Sequence, residues 1–195
     1  ALPRDSQPHL INLSSDHVYS GAGFQDEEKV APLNVYALTK YMSECVAKTV
    51  GATILRTNFI GRSSCLGRES LTDWLVSSLR TGKEVTVYED VLISALHVMT
   101  LCSAIESVIQ NQKIGVYNLG SKGGNSKAYL AFGLVKRLGL NERLLTVGFL
   151  QKMENFVQRP LDMRMDSSCF ESAFNYNLPT FESQIDVVAK EYIYE

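Results

Sequence analysis

A tyrosine and a lysine four residues apart, in Tyr36-Ala37-Leu38-Thr39-Lys40, follow the polar stretch Leu13-Ser14-Ser15-Asp16. On a helix, residues at this spacing share one face, one turn above the other. A phenol beside an ammonium is easier to ionise, because the positive charge favours the phenolate. Such a phenol can exchange a proton with a carbonyl or alcohol oxygen near neutral pH. A serine hydroxyl arriving from a separate strand end can hold that same oxygen. Ser15, Tyr36 and Lys40 are therefore the parts for reducing a ketone or oxidising an alcohol with a nicotinamide cofactor. Taken singly, each has a plainer reading: a polar strand end, a half-buried aromatic, a solvated helix charge. The surroundings decide between them.

Pro8 precedes His9-Leu10-Ile11-Asn12-Leu13, a short apolar run that reads as a buried strand opening into Ser-Ser-Asp. Gly21 and Gly23 mark a loop, made solvent-facing by Asp26, Glu27, Glu28 and Lys29. Asn34 is placed to cap a helix after Pro32. Within that helix Val35, Leu38, Met42, Cys45, Val46 and Thr49 form one stripe, expected to be the core face. Tyr36, Lys40 and Ser43 form another. The segment Ala52-Thr53-Ile54-Leu55-Arg56-Thr57 reads as the next strand, ending in Asn58-Phe59-Ile60-Gly61. Strand, helix and strand imply a parallel crossover, with both strand ends opening on the side where such sheets bind ligands.

These pieces, in this order, resemble the extended short-chain dehydrogenase/reductase family, and most closely its dTDP-4-dehydrorhamnose reductase branch. The matching residues are Ser14-Ser15-Asp16-His17-Val18-Tyr19 with Gly21, then 32–40, then Leu55-Arg56-Thr57-Asn58-Phe59-Ile60-Gly61. Arg159-Pro160-Leu161-Asp162-Met163-Arg164-Met165-Asp166 looks like that branch's Arg-Pro segment before the closing helix. The resemblance runs from about residue 9 to 190 and is dense only in the first sixty. It implies an α/β fold, a Rossmann-like doubly wound parallel sheet with a small substrate-binding lobe, the lobe drawn mainly from about 62–95 and 121–180. It assigns Ser15, Tyr36 and Lys40 as the catalytic trio, and Tyr36, Lys40, Thr57, Asn58 and Phe59 as contacts for NADPH or NADH. Phe59 is equally readable as a core residue. Asp16, His17 and Arg159 would meet a nucleotide-sugar substrate, Arg159 through its diphosphate, since a guanidinium forks well onto phosphate oxygens; Arg159 is equally readable as a surface salt-bridge residue and His17 as a surface-loop histidine. His17 stands where that branch commonly has an aromatic residue. The implied activity is reduction of a nucleotide-linked 4-keto-6-deoxysugar. A sugar-nucleotide epimerase or dehydratase with bound NAD is one alternative, and a non-catalytic regulatory or binding subunit of the same fold is another.

The family's Gly-rich turn, which seats the cofactor diphosphate at a helix N-terminus, has no match in the sequence. Gly120-Ser121-Lys122-Gly123-Gly124 has the wrong spacing and reads as a surface turn. The chain is accordingly expected to be N-terminally incomplete, the C-terminal two-thirds of such a domain, and inactive alone. A homodimer or pairing with the missing N-terminal segment would be its partner arrangement. At 195 residues, 45% hydrophobic and 21% charged, the sequence is that of a globular domain. Its net charge of −2 offers no basic field for nucleic acid. No apolar run is long enough to span a bilayer. Cys45, Cys65, Cys102 and Cys169 suggest neither a disulfide staple nor zinc, so reduced thiols and a cytoplasmic setting are expected, with Cys45 and Cys102 on helix core faces. No His/Cys/Asp/Glu spacing suggests a metal site.

The second half reads as helices over 70–80 and 97–110, strands over 84–88 and 114–119, a helix capped by Ser126, and a last helix capped by Thr180. Leu101, Ala104, Ile105, Val108 and Ile109 are expected to face inward from the second of these helices. His97 reads as a structural hydrogen-bonding residue at its start.

Overall fold

The fold is taken from a computed structural model that describes residues 8–152 and 157–193. In chain order the elements are β1 (Ile11–Ser15), α1 (Val35–Thr49), β2 (Thr53–Thr57), β3 (Phe59–Ile60), α2 (Leu71–Arg80), β4 (Val85–Tyr88), β5 (Leu92–Ile93) and β6 (Leu96–His97). There follow α3 (Val98–Asn111), β7 (Gly115–Leu119), β8 (Asn125–Ser126), α4 (Lys127–Leu138), β9 (Leu145–Gly148), β10 (Asp162–Met163), α5 (Ser168–Phe174) and α6 (Phe181–Lys190). The principal sheet has the order β1-β2-β7 with all neighbours parallel. β2 lies at its centre, and all five of its residues are buried. Successive strand residues point to opposite faces. Ile54 accordingly packs with Ala47 of α1, while Leu55 packs with Leu101, Ala104 and Val108 of α3 and with Phe170 and Phe174 of α5. Helices thus cover both faces: this is the doubly wound α/β arrangement.

β1 is less enclosed than its apolar run implied. It lies at the end of the described strand order, and only Ser14 and Ser15 are buried, with Leu13 exposed.

Capping follows local chemistry. Asn34 accepts the Ala37 N–H at the start of α1. Ser70 and Asp73 form a reciprocal capping box on α2, and Ser126 and Thr180 cap α4 and α6. A second core joins Leu75 and Leu79 of α2, Val85 and Val87 of β4, Leu130 and Leu134 of α4, and Phe181, Ile185 and Val188 of α6.

One expectation fails outright. The apolar stripe of α1 is not its core face: Val35 is 77% exposed, Met42 59% and Val46 69%, with Leu38, Cys45 and Thr49 exposed as well. Ala37, Glu44 and Ala47 face the sheet instead. That buried side carries an ion pair. Glu44 and Arg56 of β2 meet with 2.7 Å between Oε2 and Nη2, both side chains almost wholly buried. Ala37 and Ala47, small residues on the same face, let the helix approach closely enough to form it. Ile109 and Cys102 of α3 are likewise exposed, leaving Leu101, Ala104 and Val108 as that helix's buried face. All four cysteines are free and exposed.

Candidate active site

β1 ends in Ser14-Ser15, and the chain turns at once into a single 3-10 turn over Asp16–Val18. Ser15 caps that turn, its Oγ accepting the His17 N–H at 3.2 Å. The same hydroxyl donates to Asp16 Oδ1 at 3.2 Å. Asn58, just past β2, donates through Nδ2 to Asp16 Oδ2 at 2.6 Å. The carboxylate is 1% exposed. Burial, opposed by the bonds from Asn58 and Ser15 and by the Lys127 charge, pushes its pKa up to about 6.

α1 brings Tyr36 and Lys40 to the same strand end. The His17 ring meets Tyr36 edge-on, with centroids 5.5 Å apart and planes at 89°. The Lys40 ammonium donates to the Leu13 carbonyl of β1 at 3.2 Å. Tyr36 is 52% exposed, so its phenol borders solvent. Ser15 and Tyr36 therefore both adjoin His17, one through its backbone and the other through its ring.

The other expected residues divide. Thr57 is buried and donates to the Leu119 carbonyl of β7 at 2.8 Å, so its hydroxyl is committed to the sheet. Asn58 is committed to Asp16, which makes it a support for the carboxylate. Phe59 is exposed, which removes its core reading. Arg159 is exposed and borders two clefts. The smaller, of about 100 Å³, is lined by His17, Tyr88, Val91, Lys127, Leu150, Arg159, Pro160 and Met163. The larger, of about 220 Å³, runs between α2, β4 and α4 past Trp74, Val87, Tyr88 and Leu130.

Lys127 was missed. It opens α4, lines both clefts with Arg159, and lies within electrostatic reach of Asp16. Burial lowers its pKa, Arg159 lowering it further and Asp16 raising it. A signal for it existed in the sequence. A cation in the first turn of a helix opposes the helix dipole, and Ser126-Lys127 has that arrangement. Burial, with Lys127 and Arg159 adding to it, lowers the His17 pKa to about 4, so its ring is neutral at pH 7.

A nicotinamide-ribose half fits the donors present: a half-exposed phenol with an ammonium one turn away at an open strand end. Gly123 and Gly124 form no diphosphate cradle. Both lie at positive φ in the turn before β8, and a Cβ on Gly124 would stand 2.7 Å from the Ile93 carbonyl of β5. His97 is structural: its Nδ1 accepts the Met99 N–H at 3.2 Å and its Nε2 lies 3.0 Å from Glu191 Oε1. Among the described residues no cluster of metal ligands occurs, and no helix is long and apolar enough to cross a membrane.

The chain superposes on dTDP-4-dehydrorhamnose reductase from Bacillus anthracis, solved in complex with NADP, at a TM-score of 0.83 and 20% identity, covering 94% of this chain and 66% of that one. The reductase from Yersinia enterocolitica gives 0.82 at 18% identity, covering 95% and 67%. The dTDP-glucose 4,6-dehydratase from Bacillus anthracis, in complex with NAD, gives 0.77 at 22%, covering 94% and 61%. The chain thus spans about two thirds or less of the length of these structures, and what it shares with them at such identities is the fold, Rossmann-like and α/β. No curated protein sequence matches it. The model of the RmlD substrate binding domain matches residues 3–194, essentially the whole chain, and the protein belongs to that family.

Proposed function

We propose that the chain carries the nicotinamide-facing and substrate-facing part of an NAD(P)H-dependent reductase of a nucleotide-linked 4-keto-6-deoxysugar. The observation that carries this reading is the convergence at the end of β1. Ser15 bonds the His17 backbone, the His17 ring abuts Tyr36, and Lys40 is tied to Leu13 of the same strand. The fold shared with reductases and a dehydratase of dTDP-sugars supports it.

The chemistry follows from those side chains. The cofactor, when bound, supplies hydride to the C4 carbon. Tyr36 gives its phenolic proton to the ketone oxygen, so that C=O becomes CH–OH. Ser15, whose hydroxyl donates to Asp16 Oδ1 in this structure, turns that donor to the ketone oxygen and orients it. Lys40, one helical turn from Tyr36, holds the ribose. Asn58 holds the Asp16 carboxylate in place, and Lys127 with Arg159 receives the substrate's phosphates. Residues from about 62–95 and 121–180 make up the substrate lobe.

The test is NADPH oxidation by the protein, at the length its cells make, offered dTDP-4-keto-6-deoxysugars. Turnover supports the reading, and its absence with every such sugar refutes it. One observation favours a second reading. Asp16 is a buried acid with a pKa of about 6 beside Ser15, a group suited to giving up a proton near neutral pH, as a dehydratase requires. Production of a 4-keto-6-deoxysugar from dTDP-glucose without net cofactor consumption would select that reading.

A further inference from the structure

We propose that His17 is a specificity-determining residue, binding a hydroxyl of the ligand's sugar through its side-chain Nδ1 beside the carbonyl held at Ser15 and Tyr36. This rests on the nucleotide-sugar reading above.

The Nδ1 atom is buried and has no hydrogen-bond partner among the described residues. Such an atom carries a penalty of about 1–3 kcal/mol in a folded protein, and almost all buried polar atoms avoid it. Its neighbours do not relieve it. Ser15 bonds the backbone of His17 and not its ring, and Tyr36 meets the ring through its edge. Lys127 and Arg159, on the same small cleft, are cations and supply no acceptor. They also oppose protonation of the imidazole. A neutral imidazole carries one N–H donor and one lone pair, and a hydroxyl, which donates and accepts, complements either tautomer.

Placement narrows the partner further. His17 adjoins both residues given roles at the ketone oxygen, Ser15 through its backbone N–H and Tyr36 through its ring. A group reaching its ring therefore belongs to the sugar, close to the reacting carbon. A site built to bond a substrate hydroxyl discriminates strongly against analogues lacking it.

Calorimetric titration of the 195-residue chain with dTDP-L-rhamnose and with dTDP separates the outcomes. His17→Phe keeps an aromatic edge against Tyr36 and removes the orphaned nitrogen. It should bind dTDP-L-rhamnose about five- to ten-fold more weakly, the worth of one neutral hydrogen bond, and bind dTDP as the wild type does. It should unfold at the same temperature as wild type or higher. His17→Gln, which retains a donor and an acceptor, should recover part of the sugar affinity, and serves alone if the Phe variant does not fold. Equal affinity of wild type and His17→Phe for dTDP-L-rhamnose, or an equal loss toward both ligands, overturns the role of His17. Failure of the wild type to bind either ligand instead refutes the nucleotide-sugar reading.

Discussion

Glu44 of α1 and Arg56 of β2 form an ion pair sealed from solvent, with Ser14 donating to Glu44 from β1 and Tyr19 Oη accepting from Arg56 at 2.8 Å. Tyr19 in turn donates to Asn118 of β7 at 2.6 Å. One network therefore ties the helix carrying Tyr36 and Lys40 to all three strands of the sheet. Losing one member of a buried pair leaves the other charge uncompensated. Glu44→Ala should cost about 3–5 kcal/mol in urea unfolding, whereas Glu44→Leu combined with Arg56→Met should cost markedly less. A loss below about 1 kcal/mol for Glu44→Ala would contradict the assignment.

Asp16 and His17 give opposite contributions to stability with pH. The Asp16 carboxyl rises from 3.8 to about 6 on folding, so the native state holds its proton more tightly. The stability this brings is full below about 3.8 and is lost as pH rises through about 6. The His17 imidazole falls from 6.5 to about 4, so its contribution is full above about 6.5 and is lost as pH falls through about 4. NMR titration should find a carboxyl midpoint near 6 and a histidine midpoint near 4. Asp16→Asn should be more stable than wild type at pH 7 by about 2–3 kcal/mol, with the difference vanishing near pH 4. Ordinary midpoints for both groups would refute the buried arrangement.

The exposed stripe of α1 makes a third test. Met42→Lys and Val46→Lys should change stability by no more than about 0.5 kcal/mol, as surface substitutions do. A core position would cost several times more. An apolar helix face of this kind favours association, and sedimentation should detect less self-association in the double variant than in wild type.

Cofactor binding by the 195-residue chain should be weak. The contacts it offers, Tyr36 and Lys40, suit the nicotinamide-ribose half, and among the described residues no glycine-rich turn seats a diphosphate at a helix N-terminus. Calorimetry with NADPH should find no tight saturable binding and the chain should show no turnover. Tight binding would place the cofactor site elsewhere.

The helix carrying Tyr36 and Lys40, its Asn34 cap, the parallel crossover into β2, and the capped helices α2, α4 and α6 were all legible, because caps and strand punctuation are local chemistry. The inward face of α1 was not. Periodicity marks an apolar stripe but cannot tell which neighbour covers it, and the face turned to the sheet carries Ala37, Ala47 and Glu44, the last paired with Arg56. Lys127 escaped for a related reason: it lies about 110 residues from Asp16 in sequence and reaches it only because β5 and β8 bring the start of α4 back to the end of β1. Asn58 looked like a cofactor contact because a motif records position and not the direction in which a side chain bonds.

The central claim is that Tyr36 protonates a ketone at the end of β1. Its most direct test is the rate of NADPH oxidation with dTDP-4-keto-6-deoxysugar by the protein at its natural length, wild type against Tyr36→Phe. Loss of a general acid costs about two to four orders of magnitude, so kcat should fall by that much, against a loss of dTDP-L-rhamnose affinity of about ten-fold or less, the worth of one hydrogen bond. A Tyr36→Phe protein that turns over at the wild-type rate would contradict the account.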